Sequence, residues 1–458
     1  MLLQYHIQLG LVPLPFEPSI IVSSDRLVPR GRLSRLAHLA AAGTRLGTRK
    51  LRGSNESLSA ADTARVLGDL RGLAAKFGQM AGYVDGVLPA AQRSTYGEAL
   101  ASLFQHAAPS PREHIESLVR SELGAYAHEL FASFGEQPVA SASIGQVHRA
   151  RLHDGTDVAV KVQHPGIRNA LQSDLANLGW LESLFGSYLG AGFNAHGVVE
   201  EFRERFLEEL DYRKEATHQQ KFHELFRDDP QILIPEVIFD RSSSRVLTTR
   251  WAQGLTLDEA SLFPLKERKA WTETLWRFVF RSSLVGGLFN ADPHPGNFFF
   301  QKDGVVTFID FGCVQPFPQE QLAHALRAHE AAIHRNEKAF HDAGALMLNV
   351  QAGLHADLAL SFMRQCFEPL FASPFRMTSS FVSDLVQQLQ QSAFRARRMT
   401  TKQINPLPRG ILFLNRLQFG FYSVLARLDA EVDYAAIERP ILKEAMADPL
   451  LNPGAETR

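Results

Sequence analysis

Two cysteines in 458 residues, Cys313 and Cys366, stand far apart and lack metal-ligand partners at useful spacing. A disulfide framework and a structural zinc are both excluded on that count. Net charge is also lacking: the formal balance is -1, so no overall field draws the chain to nucleic acid or an acidic surface. No long apolar run reads as a membrane span. The best candidate, 410–428, carries Asn415, Arg416, Gln418 and Arg427. The apolar start MLLQYHIQLGLVPLPFEPS is preceded by no positive segment and is cut by prolines, which makes a poor signal peptide. No internal repeat and no low-complexity segment is present. These absences predict a cytoplasmic globular protein, with peripheral membrane contact as a candidate. Its length exceeds one compact core and predicts two or three packed units.

One local excess departs from the even charge. Arg26, Arg30, Arg32, Arg35, Arg45, Arg49, Lys50 and Arg52 share a stretch whose only acid is Asp25. Such a run is either a solvated helix face or a surface for phosphates or membrane.

The chemistry-bearing residues concentrate in Asn290-Ala291-Asp292-Pro293-His294-Pro295-Gly296-Asn297. After it come Phe298-Phe299-Phe300, a Lys302-Asp303-Gly304 turn, Val305-Val306-Thr307 and Phe308-Ile309-Asp310-Phe311-Gly312. Two apolar runs around an Asp-Gly turn predict a β-hairpin. It would bring Asp292 and Asn297 close to Asp310 at the finish of the return strand. Hard divalent cations take carboxylate and amide oxygens, so this is a candidate magnesium–phosphate site. D-x-x-x-x-N, then a strand ending in D-F-G, is also the protein-kinase order of catalytic and metal-binding loops. A polar loop with a chance Asp-Phe-Gly is the plain alternative; spacing, hairpin and order together argue against it.

Along the rest of the chain, Val66, Leu70, Leu73, Phe77, Met80 and Val84 recur at helical spacing, with Lys76 and Gln79 on the polar side. Pro109 and Pro111 break the chain before a helix at about 112–123. Ala140-Ser141-Ala142-Ser143-Ile144-Gly145 is a small-residue turn into a strand. His153-Asp154-Gly155-Thr156 predicts a hairpin turn, and Val158–Val162 the returning strand. A buried ammonium is costly unpaired, so Lys161 in that strand needs a partner; snorkelling at an edge is the alternative. Helices are expected at about 167–188 and 198–226. The second carries Glu208, Glu209, Asp211 and Glu215, with Asp211 and Glu215 repelling across one turn. Segments 232–239 and 245–249 predict a further strand pair, and Trp251-Ala252-Gln253-Gly254 a connector. Helices at 319–331, 337–348, 356–366, 381–397 and 410–428 are expected to make everything after Asp-Phe-Gly helical. The fold class is α+β and bilobal: a five-stranded sheet with an included helix, joined by a short link to a mostly helical half.

In this order the motifs resemble the UbiB/AarF family of atypical kinase-like proteins. Lys76-Phe77-Gly78-Gln79 is similar to its K-x-G-Q helix, and Ala140–Val147 to its alanine-rich nucleotide loop. Lys161 matches the lysine of the third strand, Glu209-Leu210-Asp211 the E-x-D motif, and Glu215 the lysine-pairing glutamate. Asp292, Asn297 and Asp310 complete the pattern. One residue departs: Asn290 stands where the family more often has an orienting histidine, which leaves the loop geometry open.

The resemblance implies a protein-kinase-like fold with an N-terminal helical extension and a mostly helical C-terminal lobe. Expected boundaries are 1–58 for a basic, loosely structured segment, 59–130 for the extension and 131–252 for the N-lobe. The C-lobe takes 253–350, and C-terminal helices fill 351–458. It also implies ATP or ADP with Mg2+ as cofactors. Lys161, held by Glu215, would meet the phosphates; Asn297 and Asp310 would hold the metal; Asp292 would orient the attacking group. Ala140, Ser141, Ala142, Ser143 and Gly145 would line the nucleotide, with Trp251 and Ala252 at the adenine edge. Lys76, Gln79, Glu209 and Asp211 would regulate access to the cleft. Alanine and serine in place of loop glycines, and the lack of an Ala-Pro-Glu sequence after Asp310, argue against an ordinary protein kinase. ATP hydrolysis or phosphorylation of a small or lipid-linked substrate is expected, with an isoprenoid or quinone-precursor lipid as candidate partner. A protein kinase with another acceptor and a nucleotide-binding scaffold without turnover are the alternatives.

Overall fold

In a computed structural model, residues 109–141, 144–175, 206–317, 319–396 and 411–447 are described, with a few positions between 200 and 204. Helix α1 (Arg112–Leu123) begins behind Pro111 and ends where Gly124 takes a left-handed conformation, the usual helix stop. Strands β1 (Ser133–Phe134) and β2 (Ala140–Ser141) both pair with β3 (Gly145–Arg151), which pairs antiparallel with β4 (Asp157–Gln163). The β3–β4 turn closes with Gly155 at φ 89° and with Asp154 Oδ1 accepting the Thr156 N–H at 2.8 Å. Ala150, Val158, Val160 and Val162 alternate onto one face, where they bury against Ile115, Leu118 and Val119 of α1. Lys161 lies in the opposite phase, on the other face. Glu122 pins α1 to the lead-in of the last strand, accepting from Ser243 Oγ at 2.7 Å and Arg245 Nε at 2.8 Å.

Helix α2 (Ile167–Leu175) follows; the rest of the 167–188 expectation lies outside the described residues. The helix expected over 198–226 is two helices. Residues 206–209 are helical, the chain turns at Leu210, and Asp211 caps a new helix α3 (Tyr212–Leu225) by accepting the Arg213 N–H at 3.1 Å. Asp211 and Glu215 therefore do not face each other across a turn of one helix. The strand expected over 232–239 also divides. Ile232–Leu233 (β5) pairs with the other lobe, Pro235 interrupts the run for want of an N–H, and the expected pairing with 245–249 is kept by Val237 opposite Thr249 and the Ile238 N–H to the Thr248 carbonyl at 2.8 Å. The fifth strand of the N-lobe sheet is β6 (Val246–Arg250), antiparallel to β4 with Lys161 opposite Leu247.

The C-lobe starts with α4 (Leu265–Leu284) and β7 (Leu288–Asn290). The predicted hairpin is present: β8 (Phe298–Phe300) pairs antiparallel with β9 (Val306–Phe308), and β9 pairs parallel with β5. Its turn places Asp303 at φ 58° and Gly304 at φ 78°, the positive-φ pair that Asp-Gly supplies. Helix α4 holds that turn through Trp271 Nε1 to the Gln301 carbonyl at 2.6 Å and Thr274 Oγ1 to the Gly304 carbonyl at 2.8 Å.

After Asp-Phe-Gly the chain is not wholly helical. Strand β10 (Val314–Pro316) turns back along β7. Then come α5 (Gln319–Ile333), α6 (Glu337–Met347), α7 (Leu354–Cys366), β11 (Phe375–Arg376), α8 (Ser379–Ala396) and α9 (Ile411–Leu428). Strand β12 (Glu431–Val432), paired with β11, and α10 (Tyr434–Met446) close the lobe. Helices α4, α5 and α10 meet at Glu438, a fully buried side chain that accepts from Trp276 Nε1 at 2.9 Å and pairs with His329 Nδ1 at 2.6 Å. The molecule is α+β and bilobal. Among the described residues no helix is long and apolar enough to cross a membrane.

Candidate nucleotide and magnesium site

Strands β7 and β10 deliver the catalytic-loop sequence and the Asp-Phe-Gly sequence side by side, with Asn290 opposite Val314. Asn290 is the hinge of the loop. Its Nδ2–H donates to the Asp310 carbonyl at 2.7 Å, and its Oδ1 accepts the Asp292 N–H at 3.1 Å. One neutral amide thereby orients both acidic segments, and the open question about the missing histidine is answered in this chain by a side chain with one donor and one acceptor end. The Ala291 N–H donates to the Cys313 carbonyl at 2.8 Å and the Ile309 N–H to the Asn297 carbonyl at 3.1 Å, adding two backbone stitches. Asn297 Nδ2–H donates to the Asp292 carbonyl at 3.0 Å, so the amide oxygen is the end that could meet a cation. His294 Nδ1 accepts the Gly296 N–H at 3.0 Å. From the far side, Gly420 of α9 lies so near Pro293 that a methyl there would overlap the proline ring. A lone glycine in an apolar helix was the available signal for this close approach.

The N-lobe contributes the cation. Lys161 Nζ donates to Glu215 Oε1 at 2.7 Å and Oε2 at 3.0 Å, and stands 3.5 Å from Asp310 Oδ2. Asp310 Oδ1 accepts the Gly312 N–H at 2.9 Å, which turns Oδ2 toward the lysine. Burial opposes charge on Lys161, but Asp310 and Glu215 outweigh it and hold the ammonium protonated well above its ordinary range. For Glu215 burial works toward the neutral form, with Lys161 opposing and Asp310 and Glu209 adding to the upward shift. Tyr212 lies beneath the pair, its ring 5.1 Å from Lys161 Nζ, and burial raises its phenol pKa. Tyr212 belongs to none of the sequence motifs, although it directly follows Asp211.

The break at Leu210 aims Glu215. The Leu210 carbonyl accepts Gln163 Nε2–H at 2.9 Å and Arg168 Nη2–H at 2.6 Å, so the lysine strand and α2 together fix where α3 begins. Glu215 then falls in the first turn of α3, pointing at Lys161. The phenylalanine of Asp-Phe-Gly is fully buried against the same helix, 4.9 Å from the Phe222 ring. Glu209 acts on Tyr212 and Glu215 through its charge, whereas Asp211 is a helix cap. Lys76 and Gln79 lie outside the described residues.

Of the nucleotide-loop residues, Ala140 and Ser141 pair with Val147 and Gln146 of β3, while Ala142 and Ser143 lie outside the described residues. Gly145 has a packing reason to be glycine. A Cβ there would stand 2.6 Å from the Val162 carbonyl oxygen and 2.7 Å from the Tyr212 hydroxyl. Trp251 and Ala252 follow β6 directly. The Trp251 N–H donates to the Asp157 carbonyl at 2.9 Å, and the Arg149 guanidinium lies 5.0 Å over its ring.

The donor set fits magnesium on nucleotide phosphates. That ion takes one or two protein oxygens and fills its octahedron with phosphate and water, and here Asp310, beside the paired Lys161, offers a carboxylate and Asn297 an amide oxygen. Among the described residues no cluster of three or more His, Cys, Asp or Glu makes a self-sufficient metal cage.

The ABC1 atypical kinase-like domain matches residues 102–343, more than half of the chain. The rat atypical kinase COQ8B, mitochondrial, is 33% identical over 330 residues, covering 68% of this chain and 62% of the rat protein. The Saccharomyces cerevisiae atypical kinase COQ8, mitochondrial, is 26% identical over 437 residues, 90% of this chain and 85% of that protein. The chain spans between about a third and three fifths of the first curated relatives it matches. Among solved structures, a Mycobacterium tuberculosis protein in complex with erythromycin superposes with a TM-score of 0.57 at 30% identity, over 88% of this chain and 98% of that one.

Proposed function

The chain belongs to the ABC1 atypical kinase-like family, the UbiB/AarF group, and from that premise we propose an ATP-dependent enzyme that hydrolyses ATP or phosphorylates a small or lipid-linked substrate. The observation that carries this reading is the convergence of Lys161, Glu215 and Asp310 within 3.5 Å across the two lobes. Phosphoryl transfer asks for positioning and charge neutralisation more than covalent chemistry. Lys161, kept straight and charged by Glu215, meets the α- and β-phosphates. Asp310 and Asn297 would hold magnesium, which would supply charge neutralisation on the phosphate oxygens when bound. Asp292, set by Asn290, orients the attacking hydroxyl or water and accepts its proton. Ala140, Ser141, Ala142, Ser143 and Gly145 form the loop over the nucleotide, and Trp251 and Ala252 lie along the adenine edge. The family resemblance favours an isoprenoid or quinone-precursor lipid as acceptor or effector.

Phosphate release from Mg-ATP, with and without lipid vesicles or a quinone-precursor analogue, tests the reading. Slow release by the wild type, raised by lipid or analogue and lost in Asp310→Asn, is expected. Equal release by wild type and Asp310→Asn would overturn it.

A further inference from the structure

On the face of the N-lobe sheet opposite Lys161, a directed chain of hydrogen bonds joins the nucleotide loop to the segment entering α1. His148 Nδ1 bonds the Gly135 carbonyl at 2.9 Å, and a carbonyl only accepts, so Nδ1 carries the proton and Nε2 is the acceptor. Gln146 Nε2–H donates to His148 Nε2 at 2.8 Å, which leaves Gln146 Oε1 to accept the Ser110 N–H at 2.7 Å. Each polarity follows from the one before. Gln146 and His148 are each 1% exposed, so water does not substitute for a lost member. Burial, with the nearby Arg112 charge, lowers the His148 pKa, in keeping with the neutral ring the chain requires.

Ser110 has a second hold. Its Oγ bonds His164 Nδ1 at 2.9 Å, and the His164 N–H donates to the Ile144 carbonyl at 2.9 Å. Ser110 is thus tied to residues on both sides of the loop's exit: Gln146 just after Gly145, and His164 bonded to Ile144. Gly145 packs closely on its neighbours, since even an added Cβ would meet the Val162 carbonyl and the Tyr212 hydroxyl. A displacement at Ser110 is passed through packed atoms to the cleft face.

We propose that Ser110 and Gln146 are positioning residues for the nucleotide: from the far face of the sheet they set Ile144 and Gly145, and with them the affinity for the phosphates. This rests on the magnesium–nucleotide reading above. The control point lies outside the cleft, at Ser110 just ahead of α1.

Calorimetric titration of Mg-ATP into full-length wild type, Gln146→Leu and Ser110→Ala, with turnover measured alongside, tests it. Gln146→Leu removes both the acceptor for Ser110 and the donor to His148. Affinity should fall about tenfold, and KM should rise by more than kcat falls. Ser110→Ala keeps the backbone N–H and loses the His164 bond, for a loss of about two- to threefold. Nitrogen-15 NMR of the wild type must show His148 with its proton on Nδ1, and an Nε2–H ring or an imidazolium would overturn the chain whatever the variants do. Equal affinities for wild type and Gln146→Leu overturn the positioning role and leave the nucleotide reading standing. Absence of Mg-ATP binding by the wild type overturns both.

Discussion

The two halves of the site are held in different ways. The C-lobe half is stitched by backbone: Ala291 to Cys313, Ile309 to Asn297, and the Asn290 amide bridging Asp292 and Asp310. No single side chain there carries the geometry alone. The N-lobe half is one ion pair, Lys161 with Glu215, between two elements whose relative position is set by the Leu210 carbonyl. Redundant neutral hydrogen bonds tolerate loss of one member, whereas a buried charge does not tolerate loss of its partner. The N-lobe half is therefore the fragile one.

The largest effect should come from breaking that pair. Glu215→Ala leaves the Lys161 ammonium with Asp310 alone, at 3.5 Å, and should destabilise the protein by about 3 kcal/mol, since one partner of a buried pair is lost. Denaturant unfolding measures it, and an unchanged midpoint would show the pair to be dispensable. Next is Gly420→Ala, which forces Pro293 and the catalytic loop away from α9. Overpacking of this kind costs about 2 kcal/mol, read as a lowered melting temperature with slowed turnover. Asn290→Ala removes two hydrogen bonds but leaves the backbone stitches, so about 1–2 kcal/mol is expected; Asn290→His, which restores a donor and an acceptor, should lose less. A loss for Asn290→Ala exceeding that for Glu215→Ala would invert the comparison.

The smallest effect lies at the far end of the N-lobe hairpin. Hydrogen bonds from Arg151 and Arg149 hold the Asp157 carboxyl down from 3.8 to about 2. A carboxylate with a depressed pKa stabilises the fold above its unfolded value, and that contribution is lost as pH falls through the folded one. Asp157→Asn should leave unfolding at neutral pH little changed and flatten the acid dependence between about pH 4 and pH 2.

Legibility in the sequence followed the same division. The C-lobe half is nearly contiguous, so apolar runs and an Asp-Gly turn were enough to place Asp292, Asn297 and Asp310 at one hairpin end. The lysine strand was legible from its alternation and from the need of Lys161 for a partner. The helix break before Glu215 was not, because the 206–226 stretch keeps a helical pattern through Leu210, and only tertiary partners on Gln163 and Arg168 interrupt it. The 232–239 run has the pattern of one strand, but Pro235 breaks it, so Ile232–Leu233 pairs with the other lobe while Val237 stays opposite Thr249 of β6. The short strands 314–316, 375–376 and 431–432 carry too few residues for any periodicity. Asn290 stood out as a departure, but one of its two bonds goes to the backbone of Asp310, twenty residues on, and becomes visible only when β7 and β10 are paired.

On the function proposed above, the two halves form one magnesium–nucleotide site. Calorimetric titration of ATP into the full chain, with magnesium and with it chelated, tests this most directly. Binding that strengthens at least tenfold with magnesium in the wild type and loses that dependence in Asp310→Asn is the predicted result; ATP affinity indifferent to magnesium, or no binding at all, would contradict it.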